Sequence, residues 1–186
     1  SLEMTKDALL RRLACAQARI GSLTLQGGAL TKDQGRRLSA ALAVVTHAPL
    51  FIDDKPALRI HELHARARRW HRQQRLGLIV LDYIQLMTPP KAENRTQEID
   101  ILSRGLKTLA KELNIPVLAL SQLSRAPDQR AGDNNRPRLS DLRDSGALEQ
   151  NADLVAFLYC EEYYACQAGR EPTADLRDRA ELIIAK

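Results

Sequence analysis

Leu78-Ile79-Val80-Leu81 is an unbroken run of four apolar side chains that ends on Asp82. A strand with one wet face alternates apolar and polar residues. A continuous run of strand length reads instead as a strand buried on both faces. Val117 to Leu120 repeats the pattern behind Pro116, and Leu154 to Tyr159 and Leu182 to Ala185 read as further strands. Between the first two lies the clearest amphipathic helix of the chain, with Ile99, Leu102, Leu106, Leu109 and Leu113 on one face. Buried strands alternating with helices imply a mostly parallel sheet with helices on both faces, an α/β fold.

The rest of the chain fits that order. Thr5 is placed to cap a helix carrying Leu9, Leu10, Leu13, Ala16 and Ile20, stopped at Gly21. Thr31 caps a second, with Leu38, Leu42 and Val45, ended by Pro49; Leu50-Phe51-Ile52 reads as a short strand. A third helix carries Ile60, Leu63, Ala67 and Trp70, with Arg66, Arg68, Arg69, Arg72 and Arg75 on its other face. That arginine row reads first as a solvated face and second as a nucleic-acid contact. Residues 124–138 hold two prolines, a glycine, adjacent asparagines and four arginines, the composition of an exposed, mobile loop; Ser140 is placed to cap a short helix.

Composition closes off several classes. At 186 residues, 44% hydrophobic and 27% charged, the chain has enough for one domain with a core, and disorder and coiled coils fit poorly. No apolar run approaches the ~18 residues of a membrane span, and SLEMTKDALL lacks the pattern of a secretory signal. Cys15, Cys160 and Cys166 are an odd number without CxxC spacing, which fits a reducing cytoplasm. His47, His61, His64 and His71 complete no metal site. A net charge of +5 permits a nucleic-acid or nucleotide partner, while 4% aromatics argues against a surface of stacked rings.

Open α/β sheets bind ligands at the carboxyl ends of their strands. Asp82 ends one strand there, where a carboxylate can hold magnesium beside a nucleotide phosphate or simply cap a turn. Ser121 and Gln122 end the next; the amide can read a terminal phosphate or be an ordinary polar strand end. Glu3 can polarise an attacking water, or serve as a first-turn acid at a helix dipole. Arg136 to Gly146 can offer amides and guanidiniums to phosphates, or be a solvated loop.

Four stretches occur in order: SLEM at the start, LGLIVLDYIQLM at 76–87, LALSQLSR at 118–125 and RPRLSDLRDSGALEQNADLVAFLY at 136–159. Together they resemble, from the first residue to the last, the C-terminal RecA-like motor domain of DnaB-type replicative helicases of superfamily 4. The resemblance implies a RecA-like P-loop NTPase core, with residues 1–186 a partial motor domain. It implies ATP and Mg2+, single-stranded DNA, a hexameric ring, primase and a helicase loader, and a cytoplasmic setting. Glu3 matches the water-activating glutamate, Asp82 the Walker B aspartate that serves magnesium, and Gln122 the reader of the γ-phosphate. Arg143, Asp144 and Gly146 match the loop that grips the DNA backbone; the family usually has Glu at the place of Asp144. Arg12 falls where a family arginine lies near the base.

Two departures stand out. No GxxxxGK[ST] loop occurs in these residues, and Lys186 would be the lysine of a Lys-x-Arg pair that reaches the neighbouring subunit's ATP. Both the phosphate-loop strand and the arginine finger are thus expected to be missing, and the 186 residues alone are expected to hydrolyse almost no ATP. Another RecA-like DNA-dependent ATPase of recombination or repair, or a non-catalytic RecA-like oligomerisation or DNA-binding module, are the competing readings.

Overall fold

The computed structural model describes residues 1–130, 135–142, 146–167, 169–171, 177 and 179–186. The chain divides into two compact units, Ser1–Leu58 and Arg59–Lys186.

The first unit is helical: α1 (Lys6–Ala18), α2 (Ser22–Gln26) and α3 (Lys32–His47). The Thr5 side chain caps α1 through the Ala8 amide, as its position predicts. Thr31 and Gln34 form a reciprocal capping box on α3. α1 ends before Gly21, because Arg19 turns left-handed (φ 53°) and its amide bonds back into the last turn. Ala18, Ile20 and Ala41 bury one another where α1 meets α3, with Leu30 and Leu38 packed around them. The strand expected at Leu50-Phe51-Ile52 does not form. That segment leads instead to Asp54, whose carboxylate accepts from the Lys6 amide (2.8 Å) at the start of α1.

The second unit begins with α4 (Ile60–Gln74) and β1 (Ile79–Leu81), followed by a 3-10 turn at Ile84–Leu86. Next come α5 (Arg95–Leu113), β2 (Val117–Ala119) and the short α6 (Ala126–Gln129). A second 3-10 turn (Leu139–Asp141), α7 (Gly146–Asn151), β3 (Ala156–Tyr159), α8 (Glu161–Gln167) and β4 (Glu181–Ile184) complete it. β1 and β2 pair in parallel, Leu81 opposite Ala119, whereas β3 and β4 pair antiparallel, Phe157 opposite Ile183. Ser140 lies inside its 3-10 turn and caps no α-helix.

α5 is the spine of this unit. Ile99, Leu102, Leu106 and Leu109 are buried along it, beside Ile84 and Met87. Gly105 lets α4 approach closely: a Cβ there would stand 2.5 Å from Ile60 Cγ1. The same contact brings His64 Nε2 to the Gly105 carbonyl (3.0 Å). Arg68 pairs in a fork with Glu112 across the two helices, and that hydrogen bond holds the Glu112 carboxyl below its ordinary pKa.

The strands are less enclosed than a continuous apolar run suggests. Leu81 is buried, but Val80 and Leu118 are about half exposed. Within these 186 residues, one face of the β1–β2 pair is packed and the other is exposed.

Candidate nucleotide site at the strand tips

The parallel pairing sets the geometry of the site. Leu120 N–H donates to the Leu81 carbonyl (2.9 Å), and Ile84 N–H donates to the Leu120 carbonyl (3.0 Å). Both strands thus end together, and Asp82 follows one tip as Ser121 and Gln122 follow the other. The sequence expectation that these residues share one sheet edge holds. Asp82 is half-buried and Gln122 exposed. A carboxylate at such an edge is the hard-oxygen chemistry that suits magnesium, which takes one or two carboxylates and keeps the rest of its shell for water and phosphate. Among the described residues no group of three or more His, Cys, Asp or Glu could hold a metal by itself.

Gln85 ties the two tips. Its Nε2 donates to Ser121 Oγ (2.8 Å) and to the Gln122 carbonyl (3.3 Å), and its Oε1 accepts from Gln122 N–H (3.2 Å). The amide's orientation is fixed by this pattern, since a carbonyl can only accept and an N–H can only donate. Arg95, at the start of α5, donates from Nη2 to the Gln85 carbonyl (2.7 Å) and from Nη1 to Glu98 (2.9 Å).

The segment beyond Gln122 runs directly to the base of the expected DNA loop. Leu123 pairs with Leu142 in an isolated antiparallel bridge, and Ser124 N–H donates to the Asp141 carbonyl (2.9 Å). Asp141 is 1% exposed. Its carboxylate takes the Arg130 guanidinium and the Arg138 amide (2.7 Å), while Arg130 also donates to the Arg136 carbonyl (3.0 Å). The described parts of a loop expected to be mobile are thus tied to Asp141, Arg130 and Arg138 through its buried carboxylate and Ser124 through its backbone carbonyl. Arg136 pairs with Glu181 and lies 5.2 Å over the Tyr159 ring.

The other expected site residues separate into three groups. Glu3 is exposed in a bend two residues before the Thr5 cap, so the first-turn acid of α1 is Asp7 and not Glu3. Arg12 is exposed on α1. Arg143 and Asp144 lie outside the described residues, while Gly146 begins α7. Lys186 donates to the Glu149 (2.7 Å) and Ala152 (2.9 Å) carbonyls, neutralising the carbonyl end of α7. Its ammonium is engaged within its own unit.

Sequence reasoning missed Gln85, Arg95, Arg130 and Asp141. A signal existed for Gln85, the one polar side chain in Ile84-Gln85-Leu86-Met87. Asp141 carried none, because an Asp in a Ser-Asp turn is commonplace.

The family model described as the DnaB-like helicase C terminal domain matches residues 1–186. The replicative DNA helicase DnaB of Geobacillus stearothermophilus is 42% identical over 188 residues, covering all of this chain and 40% of the relative. That of Rickettsia prowazekii is 47% identical over 184 residues, 98% of this chain and 37% of the relative. The solved structure of a DnaB-like replicative helicase studied with primase superposes at TM-score 0.88 and 36% identity, over all of this chain and 43% of that one. A solved ATPase domain superposes at TM-score 0.87 and 36% identity over all of this chain and 64% of that one. The expected fold, a partial RecA-like α/β core, is therefore the observed one. The chain spans about two fifths of the length of the curated relatives it matches. On the match along its whole length and the shared fold, the chain belongs to the DnaB-like helicase C-terminal domain family.

Proposed function

We propose that these residues are part of the motor of an ATP-dependent replicative DNA helicase, a single motor domain over 1–186, that couples ATP hydrolysis to movement on single-stranded DNA. The observation that carries the proposal is the continuity from Gln122 through the Leu123–Leu142 bridge to the buried Asp141. A residue able to sense a phosphate is joined within two residues to the base of the loop expected to hold DNA. The replicative helicases of Geobacillus and Rickettsia supply the parent activity by analogy.

In this reading Glu3 takes the proton of a water that attacks the γ-phosphorus as the bond to the ADP oxygen breaks. Asp82 would hold Mg2+, which supplies charge neutralisation to the phosphates when bound. Gln122 donates its amide to the γ-phosphate and loses that partner when phosphate leaves. Arg12 lies against the base. Arg143, Asp144 and Gly146 contact the DNA backbone, which needs little base readout and few aromatic rings. Lys186 serves the neighbouring subunit's ATP only after leaving the α7 carbonyls, so assembly into a hexameric ring would have to compete with that contact. Primase, the partner of the DnaB-like helicase in the matched structure, and a helicase loader are the proposed partners, in the cytoplasm.

No stretch of these 186 residues reads GxxxxGK[ST]. The test therefore uses the full-length protein: ATP hydrolysis with and without single-stranded DNA, and unwinding of a forked duplex. Asp82→Asn is expected to lower kcat on the order of 100-fold while the ring still assembles. Wild-type hydrolysis by that variant, or strand exchange without unwinding by the native protein, would contradict the proposal.

A further inference from the structure

We infer that Gln85 is a positioning residue that sets where Gln122 stands, and that it does so as a clamp on the Gln122 backbone. The inference rests on the proposed role of Gln122 and adds a residue to it.

The geometry is that of a short ladder made by a side chain. One amide group meets both polar groups of the Gln122 peptide unit, accepting from its N–H (3.2 Å) and donating to its carbonyl (3.3 Å). The same nitrogen donates to Ser121 Oγ (2.8 Å). β2 ends at Ala119, so residues 121 and 122 have left the strand ladder that held their neighbours. Backbone past the end of a strand has no regular partner and must find one elsewhere. Here Gln85 supplies it, from the turn that immediately follows Asp82. The exposed Gln122 side chain is then free to meet a ligand while its backbone is held.

Gln85 is itself anchored. Its carbonyl accepts from Arg95 (2.7 Å), and Arg95 is in turn held by Glu98 (2.9 Å) within the first turn of α5. The turn after β1, residues 121 and 122 beyond β2 and the start of α5 are thus joined through one glutamine. Alanine at 85 removes all three contacts to Ser121 and Gln122. Glutamate keeps the acceptor for the Gln122 amide and loses both N–H donors. The two variants form a graded series at nearly constant backbone.

The test is made in the full-length protein with two readouts. The first is hydrogen exchange at the Gln122 amide, without nucleotide or DNA. Gln85→Ala is expected to exchange about tenfold faster than wild type there, and Gln85→Glu to fall between them. The second is steady-state ATP hydrolysis. Gln85→Ala is expected to lower kcat about tenfold with the KM for ATP changed less than threefold, and to add nothing further to Gln122→Ala in the double variant. Unchanged exchange in Gln85→Ala overturns the clamp. Losses that multiply in the double variant overturn its action through Gln122. A clamp seen by exchange in a protein that hydrolyses no ATP would count against the proposed function and leave the backbone contact standing.

Discussion

At the scale of single residues, Asp141 gathers Arg130, the Arg138 amide and the Ser124 amide at the base of the loop. It is almost fully buried, and its partner Arg130 is about four-fifths buried. Removing one member of such a pair strands the other charge in a poor solvent. Asp141→Ala is expected to cost about 3 kcal/mol in a denaturant titration and to weaken single-stranded DNA binding. Replacing both partners, Arg130→Met with Asp141→Leu, is expected to restore much of the stability but not the DNA affinity. Equal stability of Asp141→Ala and wild type would contradict the pinned loop. The contrast with Asp82 is instructive. Asp82 was legible because four apolar residues announce the strand that presents it. Asp141 was not, because burial of a turn carboxylate depends on a partner such as Arg130, eleven residues away, which comes close only in the fold.

At the scale of elements, the buried face of α5 was readable: Ile99, Leu102, Leu106 and Leu109 are buried as their spacing predicts. Its 3.6-residue apolar period is long enough to outweigh local ambiguity, while its ends, closed by Asn94 and Asn114, emerged only in the structure. The strands were readable as strands but not in their surroundings. Their period cannot say which face has a neighbour, and Val80 and Leu118 proved half exposed. Leu50-Phe51-Ile52 failed because three apolar residues specify no partner, and Asp54 binds α1 instead. The joint between α4 and α5 could not be read at all. It depends on the missing side chain at Gly105, which stands inside a helical pattern where glycine costs roughly 1 kcal/mol against alanine. Gly105→Ala would regain that amount but places a Cβ 2.5 Å from Ile60 Cγ1. Overpacking typically costs about 1–3 kcal/mol, so a net lowering of thermal stability is expected. Ile60→Ala in the same protein should relieve the clash. A Gly105→Ala protein more stable than wild type would show that α4 can move aside.

At the scale of the whole molecule, the chain holds two compact units and spans about two fifths of its curated relatives. Its family was legible from four stretches in order, because SDLRDSGALEQNAD and LIVLDYIQLM together are far more specific than a lone strand ending in Asp. The path from Gln122 to the loop was legible only as sequence proximity. The bridge from Leu123 to Leu142 gives it a physical form. In the proposed motor this path transmits the state of the nucleotide to DNA. The most direct measurement is the ratio of ATP hydrolysis with and without single-stranded DNA in full-length Gln122→Ala. DNA stimulation is expected to disappear while nucleotide still binds. Stimulation equal to that of the wild-type protein would contradict it.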